Sequence, residues 1–209
     1  FKLLNGLGLA ARFRGDHATA RKAYEAGLAS GEEAGDRQGT ALSNRGLGLV
    51  AMQQGDHAAA RIHFDAGLAI SRELEDKYGV AMSLSFLGDL ARTEDRYADA
   101  KPMFEEAVGL FRILENKTAV SDALNNLGAA EYCLGDTASA AAHFGEALRS
   151  ACELSNRITI SCSIDGLAAI AAGSGSEPEA ARLSGAADRL RDMVGYKIEP
   201  AEAKLRERY

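Results

Sequence analysis

A forty-residue beat runs through the chain and leaves few folds open to it. Gly15-Asp16-His17 returns as Gly55-Asp56-His57, then as Asp95-Arg96-Tyr97, Gly135-Asp136-Thr137 and, loosely, Gly175-Ser176-Glu177. Other columns keep the same step. Leu7, Leu47, Leu87, Leu127 and Leu167 form one, and Gly8, Gly48, Gly88, Gly128 and Ala168 the next. Ala20, Ala60, Ala100, Ala140 and Ala180 form a third, and Tyr24, Phe64, Phe104 and Phe144 a fourth that fails at Ser184. A fixed period over so many columns means stacked copies of one small unit, each burying its apolar face only against its neighbours.

Each unit reads as two helices. The first carries Leu-Gly in mid-element, in stretches such as Leu124 to Leu134 whose apolar residues recur at helical spacing. Glycine inside a helix costs about 1 kcal/mol against alanine, so its recurrence marks a close approach to the backbone. The alanine of the Ala20 column does the same on the second helix. The aromatic four residues later lies on the same face and fills the space between hairpins. The Gly-Asp turn separates the two helices, with Asp16, Asp56 and Asp136 placed to cap the second. Asp36, Asp76, Asn116 and Asn156, each followed by Arg or Lys, are placed to cap each next first helix.

The Leu-Gly pair, the small residue twelve positions on, the aromatic four beyond it and the small residue three further (Gly27, Gly67, Ala107, Ala147) resemble the tetratricopeptide repeat family over about residues 1–194. The period of 40 exceeds the family's usual 34, and the additional residues lengthen the helices around Leu68–Leu74 and Lys77–Leu84. The fold expected is all-α: a right-handed superhelical solenoid of about five helix-turn-helix repeats plus a short C-terminal helix. First helices would line its concave inside. The repeats are set at about 1–36, 37–76, 77–116, 117–156 and 157–194, with 195–209 as a C-terminal capping segment. The capping column projected back from Asp36 falls before Phe1, so the first repeat reads as truncated and more repeats are expected ahead of it. Phe1, Leu3 and Leu4 make no polar cap.

The far end reads as a terminus. Ser176 with Glu179 suggests a capping box, Ala180 to Val194 an amphipathic helix ending at Gly195, and Pro200 the start of a last helix with Lys204, Arg206 and Arg208. The stretch Ala181 to Arg191 with Val194-Gly195 resembles the C-terminal region of bacterial LuxR/AfsR-like signal-transduction ATPase regulators. That resemblance implies a larger bacterial regulatory parent whose nucleotidase and DNA-binding parts lie outside these residues.

Composition narrows the function. Net charge is −6, which argues against a nucleic-acid surface. No apolar run approaches the roughly 18 residues of a membrane span, and no secretory leader opens the chain. Cys133, Cys152 and Cys162 form no CxxC pair and are odd in number, which fits a reducing, cytoplasmic setting without disulfides or zinc.

Catalytic patterns give way to packing. Gly6 to Ala11 and Gly46 to Ala51 match G-x-G-x-x-A, but these glycines sit inside helices and recur with the repeat, so they read as packing positions. His17 and His57 read as solvated turn residues without further ligands. His63 and His143 read as half-exposed helix histidines with no evident partner. The acidic pairs Glu32-Glu33 and Glu105-Glu106 read as solvated surface. No acid–base constellation emerges, so the chain reads as no enzyme, with no cofactor and no metal.

A function belongs to the groove. The exposed side of the first helices is read as Asn5, Leu9, Arg12, Phe13, Arg45, Leu49, Met52, Met82, Phe86, Asp89, Arg92, Asn125, Asn126 and Tyr132, a mixed surface with large apolar groups. Asparagines and arginines suit a peptide backbone or its carboxylate. Some members of the family clamp chaperone tails with Lys and Asn at set positions. Here Asn5, Leu9, Gly46, Met82 and Phe86 hold those positions, so that activity is not expected. Two readings follow. One is a non-catalytic scaffold binding a protein or peptide segment, a domain of its own parent included, with no direct nucleic acid and no membrane. The other is a small-ligand-sensing array of a signal-transduction ATPase or transcription regulator. Self-association into a homodimer through the hydrophobic face of the first helix is a further expectation.

Overall fold

A computed structural model describes residues 2–198 together with Ala203 and Arg206. Among these residues the regular elements are helices joined by tight turns. They are α1 (Lys2–Phe13), α2 (His17–Ala34), α3 (Arg37–Gln53), α4 (His57–Glu73), α5 (Lys77–Thr93), α6 (Tyr97–Ile113), α7 (Lys117–Cys133), α8 (Thr137–Leu154), α9 (Arg157–Gly173) and α10 (Glu177–Val194). The fold is therefore all-α, built of helix-turn-helix repeats. No helix among the described residues is long and apolar enough to cross a membrane.

The turn chemistry explains where the helices begin. Gly15, Gly55, Gly135 and Gly175 take left-handed φ values of 75° to 87°, which a glycine adopts without a Cβ penalty. The following aspartate then accepts a backbone N–H: Asp16 from Thr19 at 3.0 Å, Asp56 from Ala59 at 3.0 Å and Asp136 from Ser139 at 3.1 Å. Asp36, Asp76, Asn116 and Asn156 cap the first helices likewise, through Gly39, Gly79, Ala119 and Thr159.

Two turns depart from the pattern. Asp95 holds the left-handed position at φ 59° and Arg96 the capping position, where its side chain makes no cap. A surface cluster replaces it: Tyr97 Oη donates to Asp95 at 2.7 Å, and Arg96 pairs with Glu94 and Asp99. The capping box expected at Ser176 and Glu179 is absent. The Glu179 N–H, which the serine hydroxyl was to receive, donates instead to the Ser176 carbonyl at 3.1 Å. Helix α10 does end at Gly195, in left-handed conformation. Phe1, Pro200, Lys204 and Arg208 lie outside the described residues.

The chain divides into two compact units, residues 1–90 and 91–209. In the first, Ala11, Ala20, Tyr24, Leu47 and Val50 form a core cluster. In the second, one cluster gathers around Phe104 with Ala91, Ala100, Leu127 and Ala130, and another around Phe144 with Ala129, Ala140 and Ala169. Ala20, Ala60, Ala100 and Ala140 are fully buried, as are Phe64, Phe104 and Phe144.

Candidate functional site

The site begins with the rings. A Cβ added to Gly8 would lie 2.8 Å from the Tyr24 ring, and one added to Gly46 would overlap it. Tyr24 therefore lies between the first helix of its own repeat and that of the next. Phe144 is held the same way by Gly128 and Gly166. The two glycines of Gly46-Leu47-Gly48 thus serve two rings, Tyr24 and Phe64, as packing positions. Of the matching pair in the first repeat Gly8 packs on Tyr24, whereas Gly6 has nothing within 4 Å of an added Cβ and needs correction. In the third repeat Phe86 takes the place of Gly46 and stacks on Phe64 with centroids 5.4 Å apart.

An opening in the first unit lies against Gly46 and Phe86. It is a cavity of about 700 Å³. Leu9, Leu42, Leu49, Met82, Phe86 and the Tyr24 ring supply apolar wall, while Asn5, Gln38 and Tyr78 add polar groups. Its charged lining is Lys2, Arg12, Arg45 and Asp76, three cations against one carboxylate in a chain of net charge −6.

Arg45 is the unusual member. It is 8% exposed, and its stem runs along Gly67, where a Cβ would meet Cγ at 3.1 Å. Its Nη1 donates to the neutral Ser71 Oγ at 3.2 Å. Burial pulls its pKa below the usual guanidinium value, against the attraction of Asp76. Asp76 is itself engaged, accepting the Gly79 N–H at 3.0 Å as cap of α5.

The second unit contains the counterpart of that pair. Asp165 stands in the Arg45 column and Arg191 in the Ser71 column, the same 26 residues apart. Arg191 donates to Asp165 and, at 2.6 Å, to Asp188. Arg206 adds bonds to Asp188 at 3.0 Å and Ser184 at 2.7 Å. Burial holds the Asp165 carboxyl above its usual range against the pull of Arg191 and Arg206. A milder pair links neighbouring first helices in both units: Ser43 Oγ donates to Asn5 Oδ1 at 3.1 Å, and Ser163 Oγ to Asn125 Oδ1 at 3.2 Å.

The sequence-predicted residues separate accordingly. Asn5, Leu9, Arg12, Arg45, Leu49, Met82 and Phe86 come together around the one cavity. Phe13 and Met52 do not line it. Phe13 is 75% exposed, with the Arg12 guanidinium 4.6 Å from its ring centroid. Asp89 is half-buried and Arg92 buried. Asn125 and Asn126 line a smaller cavity of about 220 Å³ in the second unit, with Asp122, Asn156, Ile158, Thr159 and Cys162. Burial raises the Asp122 pKa there, against a hydrogen bond donated by Thr159. Tyr132 lies at another opening of that unit, beside Cys133 and Ile170, and its hydroxyl donates to the Ala169 carbonyl at 3.1 Å. The expectation that these side chains stand on an exposed face needs correction for Asn5, Arg45, Arg92 and Asn125, all buried. Helices packed side by side cover polar positions that a single-helix reading leaves in solvent.

The histidines also need correction, because both have partners. His63 Nδ1 bonds Asn44 Oδ1 at 3.0 Å, and His143 Nδ1 bonds Glu131 Oε2 at 2.6 Å. Glu131, 2% exposed in its side chain, also meets Lys101 at 3.2 Å. Sequence reading missed it, although a signal existed: Glu131 interrupts the column Ala11, Ala51, Ala91 and Ala171.

Comparison with known proteins agrees with the geometry. The tetratricopeptide repeat profile matches residues 1–73, 39–113 and 79–153 in overlapping registers. No curated protein matches the chain by sequence. Among solved structures, BtubC (BKLC) from P. vanneervenii is similar at 22% identity and TM-score 0.77, over 95% of this chain and 83% of that one. The nearly identical TPR-like repeats of a putative kinesin light chain from Podosopora anserina align at 14% identity and TM-score 0.70, over 94% and 97%. MamA aligns at 17% identity and TM-score 0.61, over 90% and 96%. At these identities the likeness is one of fold.

Proposed function

Because the chain belongs to the tetratricopeptide repeat family, a family of protein–protein interaction scaffolds, we propose that it is a non-catalytic binding module whose partner-binding face includes the cavity of the first unit. The observation carrying this reading is the grouping of Leu9, Leu49, Met82 and Phe86 with Arg12, Arg45 and Asn5 around one opening. Apolar wall supplies affinity and a few convergent polar groups supply orientation. The partner is a protein or peptide segment, with a domain of the parent chain and a second copy as candidates. A larger cytoplasmic bacterial regulator, acting in signal transduction and transcription, is the parent that the C-terminal resemblance suggests. The test is capture of partners by the wild-type chain and by the double variant Arg45→Met/Phe86→Ala, with helicity followed by circular dichroism. Loss of capture at unchanged helicity is the expected result. Equal capture by both proteins removes the cavity from the partner-binding face.

One observation favours a second reading, a small-ligand-sensing array. Arg45 is a buried cation opposite a neutral serine, at the wall of a cavity whose volume suits a small molecule.

A further inference from the structure

The internal repeat provides its own control for the Arg45 site. At the same two columns and the same spacing, the second unit closes a buried arginine onto a carboxylate, Arg191 onto Asp165. The first unit has the arginine but no carboxylate bonded to it: Arg45 donates to the Ser71 hydroxyl, while Asp76, which attracts it across the same lining, accepts the Gly79 N–H as cap of α5. A buried charge is costly unless an opposite charge or several hydrogen bonds compensate it. Arg45 differs from Arg191 in a second respect, because it lines an apolar-walled cavity and so remains within reach of a small molecule. Lys2 and Arg12 add positive charge to that lining.

We propose that the cavity of the first unit binds a small organic acid, one carboxylate on a compact apolar body, with Arg45 as its counter-ion. The carboxylate takes the role that Asp165 plays for Arg191, and the apolar body lies among Leu9, Leu49, Met82 and Phe86. A planar guanidinium suits a carboxylate because two parallel N–H donors match its two oxygens. The proposal rests on the small-ligand reading and adds to it the chemical class of the ligand.

The test uses the full chain with octanoate and 4-phenylbutyrate as probes, octanamide and 4-phenylbutanamide as uncharged controls, titrated by calorimetry and by thermal shift. The acids are expected to bind one per chain and raise Tm with dose. The amides are expected to bind at least about tenfold more weakly, since a hydrogen-bonded charge is lost. Arg45→Met is expected to erase the preference for acids. That variant is expected to fold, because it removes a buried charge that has no carboxylate bonded to it, and circular dichroism checks this. If amides bind as well as acids, or if Arg45→Met keeps the preference, the carboxylate proposal fails while the small-ligand reading survives. If neither acids nor amides bind, both fail. Ac-Leu-Leu-Val-Leu with a free and with an amidated C-terminus completes the set. Binding by the free-ended peptide alone, with no response to the small acids, overturns the proposal in favour of a protein tail.

Discussion

The two units occupy the same pair of repeat columns in opposite ways. In the second unit a buried arginine meets a buried carboxylate, with Asp188 and Arg206 extending the network. In the first, the arginine sits at the other end of the pair and meets a hydroxyl. The sequence spacing is common to both, while the side chains differ and Arg206 joins only the second pair. A repeat array can therefore keep its stacking geometry while exchanging an internally closed ion pair for a cation left open to a cavity. In the second unit the charges are used up in holding helices α9 and α10 together. In the first the arginine lines the cavity and meets only a hydroxyl.

The largest test of this contrast removes the closed pair's acid. Asp165→Ala leaves Arg191 buried with only the exposed Asp188 and is expected to cost about 3 kcal/mol in urea denaturation. Arg45→Met, by the same reasoning, is expected to be neutral or stabilising. Equal losses in the two variants would mean that Ser71 satisfies a guanidinium as fully as a carboxylate does.

A middle-sized effect concerns the rings beside the two pairs. Gly46→Ala and Gly166→Ala drive a methyl into Tyr24 and Phe144 and are each expected to destabilise by about 1–3 kcal/mol. Gly6, one period before Gly46, has nothing within 4 Å of its added Cβ, so Gly6→Ala is expected to stabilise by about 1 kcal/mol. Thermal melts of the three variants check the signs. A stabilising Gly46→Ala would show that Tyr24 moves away at no cost and that the cavity wall is soft.

The smallest effect is a pH dependence confined to the first unit. Burial, with Arg21, lowers the His63 pKa below its ordinary value of 6.5, against Glu25. The folded state then binds a proton less readily than the unfolded chain. His63 contributes its stability fully above that ordinary value and loses it as pH falls through the lower folded value. His63→Gln is expected to flatten the decline of the urea midpoint between pH 7 and pH 5. An unchanged slope would assign the decline to carboxylates elsewhere.

Much of the architecture is legible in the sequence. The Asp16 and Asp36 columns identify caps because a side-chain oxygen at a helix start satisfies an N–H within three residues, a local event. The Ala20 and Tyr24 columns identify packing because one face of a helix repeats at fixed intervals. The failures have two causes, one local and one in the packing. Ser176 looked like a cap, but its own carbonyl receives the N–H its hydroxyl was to take. Arg45 and Asn125 looked exposed, but adjacent helices bury most of each, and each lies at the wall of a cavity. His63 and His143 looked unpartnered because Asn44 and Glu131 lie 19 and 12 residues away, on the facing helix.

The order of residues along the chain was enough to establish the repeat, its helices, their caps and the small residues that let hairpins nest, since these follow from contacts made within a few turns or repeated every forty residues. Which polar side chains are buried, and whether each meets a partner there, was settled only by packing. An arginine in a column looks the same in sequence whether the residue brought against it from 26 positions away is a serine or an aspartate. That difference is what leaves one buried arginine on a hydroxyl and the other on a carboxylate.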